Sequence, residues 1–472
     1  MSFKIAFIGA GSLGFTRKLL ADLLAVEELR DIEVAFTDIN DHNLEMVTQI
    51  CQRDIDENGL KIKIQATTNR KEALKDAKYV INCVRIGGLE AFETDVEIPL
   101  KYGVDQCVGD TLSAGGIMYG QRGIPAILDF CKDIKEVSRP DVLLLNYANP
   151  NAMITWAANK YGQVRTIGLC HGVQGGHQQI AEALNIPQEE LDFICAGINH
   201  QTWYIQLTHK GKDVSKGLVE AFEKHEKFSR TEKVRIDILK RFGYYSTESN
   251  GHLSEYVAWY RKRPEEINDW IDMESWIHGE TAGYLRVTRE KRDWFETEFP
   301  QLMKEPAIKY EKRSNEHGSY IIESLETGRV YRGHFNVMNE GCISNLNYES
   351  VIEVPAYVDG NGISIPKIGP LPLGPAAVCS QSIWVQHLAV EAAVHADLKL
   401  LNQAFMLDPL VSSVCNNWEI DQMIDEMLIA GEKWLPQWAD EIERAKKRLE
   451  KAKKEGTYIK TNEGYRGAAR KE

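Results

Sequence analysis

No apolar run in this sequence approaches the roughly 20 residues that a membrane-spanning helix needs. The opening stretch, MSFKIAFIGAGSLGF, lacks a basic n-region, an apolar h-region and a small-residue cleavage site, so secretion is not expected. Basic residues are outnumbered, and a formal net charge of −13 argues against nucleic acid or an anionic membrane as partner. A small neutral or metal-assisted substrate is the better expectation. A disulfide framework is also missing. The nine cysteines are odd in number and scattered, several of them in apolar segments (Cys83, Cys195, Cys379), which fits a reducing cytoplasm. There is no internal repeat and no low-complexity segment.

What is present is an ordinary globular composition, 43% hydrophobic and 26% charged, over 472 residues, enough for two domains with sizeable cores. The first part alternates apolar strands (KIAFIGAG, EVAFTDIN, KIKIQATT, YVINCVRIGG, DVLLLNYANP, TIGLCHG) with helical stretches. This pattern predicts an α/β fold, an N-terminal doubly wound, Rossmann-like parallel sheet over residues 1–194. From Cys195 the character changes to aromatic-rich strands, a polar helical region over 213–243 and a charged helical stretch over 270–312. Further strands follow, with DGNG as a hairpin turn, then a helix over 380–401. Residues 195–472 are therefore expected to form a C-terminal α+β domain, with the charged helix DEIERAKKRLEKAKK near its end as a solvated face or a contact to another subunit.

GAGSLG sets Gly9, Gly11 and Gly14 in G-x-G-x-x-G spacing directly between a strand and a helix, with Ser12 at the helix start. Such glycines permit a tight turn and let a pyrophosphate approach backbone N–H groups at the helix N-terminus. Asp38 ends the next strand, where a carboxylate accepts from a ribose 2′-OH, and its charge favours NAD over NADP. A bare glycine triplet also occurs in plain turns; strand, helix and acid together favour dinucleotide binding.

Two consecutive strands end in polar groups, Asn149-Pro150 and Cys170-His171, and in an open α/β sheet ligands bind at the carboxyl ends of strands. Asn-Pro is also common turn chemistry. Cys170 and His200 are too far apart for a local metal finger, yet loop ends of this kind can converge on one divalent ion. Taken singly, Cys170 reads as a small buried hydrophobe and His200 as a satisfied core histidine.

Taken in order, FIGAGS, GDTLSAGGIMYGQRGIP, NYANP, GLCHGVQG, AGINH and VIEVPAYVDGNGI resemble glycoside hydrolase family 4, and the resemblance runs over nearly the whole chain, up to MLDPL and WLPQW. GYYSTES at 243–249 is similar to the melibiase-like α-galactosidase branch. The resemblance implies that Cys170 and His200 hold a divalent metal, usually Mn2+, and that Asn149 contacts the sugar. His171 stands where some branches carry an acid aspartate, and Tyr244 is the counterpart of a tyrosine base. It also implies a cytoplasmic NAD- and Mn2+-dependent α-glycosidase, acting on α-galactosides, that departs from the two-carboxylate scheme of most glycosidases. In this route hydride leaves C3 for NAD+, the resulting ketone acidifies the C2 proton, the leaving group departs from C1, water adds, and the hydride returns. Members of the family are commonly homodimers or homotetramers.

Other residues carry two readings. Asp110 and Arg122 either position substrate or metal, or pair on a surface. Glu248, His252 and Glu255 either support the site or begin a solvated helix. Asn336 and Asn339 match a family pattern and also describe a turn next to Gly341. Gly172 stands where the α-galactosidase branch usually has serine, and a missing side chain there leaves room for a C6 carboxylate. An α-glucuronidase or α-galacturonidase is therefore the alternative, and a net NAD-dependent sugar dehydrogenase a more remote one. No basic cluster suited to a 6-phosphate is evident.

Overall fold

A computed structural model describes residues 3–273, 279–292 and 294–462. The strands are β1 (Lys4–Ile8), β2 (Glu33–Thr37), β3 (Ile64–Ala66), β4 (Ala77–Asn82), β5 (Leu143–Asn146), β6 (Thr166–Gly168), β7 (Leu191–Ile198), β8 (Gln201–His209), β9 (Lys212–Asp213), β10 (Tyr331–Met338), β11 (Val351–Asp359) and β12 (Gly362–Ser364). All twelve belong to one mixed sheet in the order β3-β2-β1-β4-β5-β6-β10-β11-β7-β8-β9, with β12 paired to β11. The first six are parallel, in the order of a dinucleotide-binding sheet. Their near-continuous apolar runs follow from burial on both faces; KIAFI is buried at all five positions.

Beyond β6 the sheet continues antiparallel. Asn336 of β10 pairs with Gly168, and Glu353 of β11 pairs with Gly197 of β7. The division expected at 194/195 falls inside β7, and the main apolar core takes residues from both sides, among them Ile5, Phe36 and Leu144 with Val354, Ile383 and Phe405. As the sequence suggests, DGNG closes the β11–β12 hairpin, with Asp359 opposite Gly362.

Two helical expectations are revised. The stretch over 270–312 is not one helix; its described parts include Gly283–Glu290 and Trp294–Leu302, preceded by Pro264–Trp270. The helix expected over 380–401 is two, Leu373–His395 and Leu398–Leu407. Ala396 takes a left-handed φ of 51°, and Asp397 caps the second helix by accepting from the amides of Lys399 and Leu400. A side-chain cap competes with helix continuation, which apolar content alone does not reveal. Among the described residues no helix is long and apolar enough to cross a membrane.

Asp408, in MLDPL, does comparable work at longer range. It accepts from the amide of Ser113, which opens the long helix Ser113–Val137, and from the amides of Leu410 and Val411. Asp408→Ala is expected to lower stability by about 2 kcal/mol, at the upper end of cap losses, because three buried donors lose one acceptor. Urea unfolding of the variant checks this; a loss under about 0.5 kcal/mol, within the range of an ordinary surface change, would contradict it.

Candidate active site

The glycine turn follows β1. Gly9 needs its positive φ of 86°, and a Cβ there would stand 2.8 Å from Val84 Cγ1. Gly11 donates its N–H to Asp38 Oδ2 at 2.8 Å, and a Cβ at Gly11 would collide with that oxygen; the other carboxylate oxygen accepts from Asn40 N at 2.9 Å. A Cβ at Gly14 would meet nothing within 4 Å, so the third glycine is not required by packing. Ser12 is the N-cap of helix Leu13–Leu24, makes no side-chain capping bond, and the first turn carries no acid to compete for an anion. Together the turn, the open helix start and Asp38 suit a dinucleotide.

The second group gathers at the carboxyl end of β6 and the β7–β8 hairpin. His200 lies at that hairpin's tip in a left-handed backbone, φ 61°. Glu248 is also left-handed, φ 75°, a conformation that a non-glycine residue rarely adopts. These two backbones and the end of β6 bring one ligand atom each of Cys170, His200 and Glu248 within 4.8 Å of one another. Such a spread matches donors about 2.0–2.3 Å from one shared ion.

Electrostatics agree with a cation-requiring centre. Burial, then the carboxylates of Glu353 and Glu248, push the Cys170 thiol well up, so a thiolate there needs a compensating positive charge. Burial pushes His200 down, toward the neutral imidazole that binds metals. Burial also opposes ionisation of Glu248, but the charge and hydrogen bond of His252 outweigh it and hold the carboxyl well below the usual range. His252 donates through Nδ1 to Glu248 Oε2 and, despite burial, is raised by that carboxylate to about 9.

Around this cluster hydroxyls and carboxylates fix the parts. His200 Nδ1 faces Thr111 Oγ1 at 3.2 Å and Tyr256 OH at 3.3 Å. Thr111 donates to Asp110 Oδ1, while Asp110 Oδ2 receives Asn149 Nδ2 at 3.1 Å and Arg85 Nη2 at 3.2 Å. One carboxylate thus ties Asn149 to His200. Glu255, wholly buried, accepts from the successive amides of Cys107, Val108 and Gly109 and so holds the loop that presents Asp110. Beneath the hairpin tip, Asn199 donates to Glu353 Oε2 at 3.5 Å, and burial raises Glu353 to about 8.

Several expected residues stand differently. Arg122, read as a substrate contact, is buried and committed to Asp95, with Nη1 2.8 Å from Asp95 Oδ1; the guanidinium at the crevice is Arg85, held over the rings of Phe92, Tyr119 and Tyr284. Tyr244 packs half-buried against the main core and makes no hydrogen bond to the cluster among the described residues, whereas the phenol of Tyr256 does. His171 is 65% exposed, with Nδ1 3.5 Å from Glu316 Oε1, and Glu316 also pairs with Lys18. Asn339 is turn chemistry, its amide spent on the carbonyls of Ile343, Leu346 and Asn347. The space beside Gly172 is not open: a Cβ there would lie 2.9 Å from Glu248 Oε1. Sequence reasoning missed Arg85, although a lone cation at the end of an apolar strand was a usable signal. Tyr256 had none, since it reaches His200 only through the fold.

The profile of "Family 4 glycosyl hydrolase" matches residues 4–186, and that of "Family 4 glycosyl hydrolase C-terminal domain" matches residues 195–411. An alpha-galactosidase of Rhizobium meliloti (strain 1021) is 57% identical over 474 residues, covering 100% of this chain and 96% of its own. Among solved structures, the putative glucosidase lplD from Bacillus subtilis superposes with a TM-score of 0.78 at 26% identity, covering 91% of this chain and 100% of its own. The 6-phospho-beta glucosidase from Thermotoga maritima, solved with manganese, NAD+ and glucose-6-phosphate, has a TM-score of 0.73 at 23% identity over 92% of this chain and 99% of its own. With both halves matched in order, this chain belongs to family 4 of the glycosyl hydrolases.

Proposed function

We propose that this enzyme hydrolyses α-galactosides with NAD+ and Mn2+, by oxidation at C3, elimination across C1–C2, addition of water and re-reduction. The observation that carries the reading is the convergence of Cys170 and His200 beside Asn149, at strand ends next to a glycine turn closed by Asp38. The full-length identity to an alpha-galactosidase supports the substrate. When bound, the nicotinamide accepts and returns a hydride, and the metal polarises sugar oxygens as a Lewis acid.

The chain's own residues do the rest. The amides following Gly11 hold pyrophosphate and Asp38 takes the ribose. Cys170 and His200 hold the metal, and Asn149 binds the sugar. Asp110 sets both distances, since it grips Asn149 directly and His200 through Thr111. His171, as the imidazolium with Nδ1 turned to Glu316, gives its Nε2 proton to the departing oxygen, and the C2 proton goes to a base, the role that the family resemblance gives Tyr244. In a reducing compartment Cys170 stays available as a ligand. Residues 1–194 supply the dinucleotide site, and residues 195–472 complete the substrate side.

A neutral glycone fits better than a uronide. Among the described residues, the cations at the crevice are each held by a carboxylate: Arg85 by Asp110, Lys18 by Glu316, His252 by Glu248. The position beside Gly172, which would admit a C6 carboxylate, already holds the Glu248 carboxylate. Nitrophenol release from α-galactoside and α-glucuronide substrates, with NAD+, Mn2+ and a thiol reductant each supplied or withheld, is the test. Release from the galactoside that needs both cofactors is expected. Release surviving the removal of both would overturn the mechanism, release from the glucuronide alone would overturn the sugar, and stoichiometric NADH would mark a net dehydrogenase.

A further inference from the structure

We infer that Glu248 is the third protein ligand of the metal, and that Gly172 is glycine in order to let that carboxylate in. The inference rests on the metal reading above and extends its donor set beyond Cys170 and His200.

Four observations meet at Glu248. Its carboxylate is one of the three donors lying within 4.8 Å of one another. Its two oxygens are differentiated: Oε2 receives His252 Nδ1, while Oε1 is turned to the space over Gly172. A Cβ on Gly172 would sit 2.9 Å from Oε1 and 3.8 Å from Cys170 Sγ, close to both donors. Gly172 is not in a positive-φ conformation, so backbone freedom does not explain it; clearance does. Finally, Glu248 holds a left-handed backbone, φ 75°, a conformation that a non-glycine residue keeps only where the surrounding structure maintains it.

Donor chemistry gives the carboxylate a purpose. A thiolate and an imidazole make a soft to borderline pair suited to zinc, whereas Mn2+ prefers oxygen. Glu248 adds the hard donor and a second negative charge, which moves the site toward Mn2+. His252 orients it, as partners of ligating carboxylates do, and its ring stacks on His200 with centroids 4.9 Å apart, so one histidine braces two ligands.

The test is metal binding to the full-length protein, read by electron paramagnetic resonance of free Mn2+ and by the visible spectrum of the Co2+ form, without turnover. Glu248→Gln keeps the shape and weakens the donor; Gly172→Ala changes no ligand atom and only intrudes on Oε1. Both are expected to weaken Mn2+ binding by at least the roughly 10- to 100-fold seen when groups supporting a ligand are lost. Zn2+ binding should fall less, and the cobalt ligand-field bands should change while the thiolate charge-transfer band persists. If either variant keeps its Mn2+ dissociation constant within threefold of the parent, the inference is overturned and Glu248 is left as an acid or base. Should Glu248→Gln fail to fold, Gly172→Ala decides alone. A parent protein that binds no Mn2+, or a Cys170→Ser variant that binds it equally well, would refute the underlying metal reading instead.

Discussion

Cys170→Ser is expected to lower kcat/KM on an α-galactoside by roughly a thousandfold or more, since the Lewis-acid contribution of a bound metal amounts to several kcal/mol and each 1.36 kcal/mol is tenfold. Serine nearly matches cysteine in size, so the half-buried position is not emptied. What is lost is the ionisable sulfur. A hydroxyl does not deprotonate near neutral pH to balance a dication, and the remaining donors hold the ion more weakly. The variant should retain NAD+ affinity, because the glycine turn and Asp38 are made by β1, β2 and the helix after them, apart from the end of β6. Steady-state rates across a Mn2+ titration, with NAD+ binding followed by fluorescence, separate the two. Parent-like kcat/KM at ordinary Mn2+ would remove Cys170 from the metal centre. Loss of NAD+ affinity together with activity would point to a disturbed fold.

The Rossmann half was legible from sequence because its signals are local. A buried strand reads as a short apolar run, a glycine turn as a spaced triplet, and an acid at the next strand end as a ribose contact. The residues themselves made Cys170 and His200 candidates, but their pairing on a metal came from a resemblance, since nothing local links the end of β6 to the tip of the β7–β8 hairpin. Two strands, β10 and β11, separate them in the sheet. Glu248 was visible as an acid four residues before His252, a spacing equally consistent with an exposed helix pair. Its left-handed backbone and its clearance at Gly172 exist only in three dimensions. Arg122 shows the converse. Of the two readings of an arginine inside a family motif, substrate or metal positioning and ion pairing, the fold displays the pairing, with Asp95 on another helix and in a buried rather than a surface site. Gly172 was singled out for room beside it, and in the structure the Glu248 carboxylate takes that room.

Arg261→Met should destabilise the enzyme by about 3–5 kcal/mol, the range for breaking one partner out of a buried ion pair. Arg261 and Asp105 are both fully buried. The guanidinium donates to Asp105 Oδ1, to the Asp105 carbonyl at 2.6 Å, to Gly279 O at 2.7 Å and to Ser254 Oγ at 3.2 Å, while Thr281 donates to Asp105 Oδ2. Methionine fills much of the volume but leaves the buried Asp105 carboxyl without its guanidinium partner. Replacing Asp105 by Asn as well should recover part of the loss, because the penalty lies mainly in the stranded carboxylate. The damage should also reach catalysis. Asp105 begins the segment whose next amides bind Glu255 and whose continuation presents Asp110 and Thr111 to Asn149 and His200. Urea unfolding measures the first effect, and kcat at temperatures well below the transition measures the second. An Arg261→Met loss under about 1 kcal/mol would mean that the pair is solvated or relaxes freely. A large stability loss with unchanged kcat would show that Glu255 alone fixes the loop, and that the ion pair serves the fold and not the site.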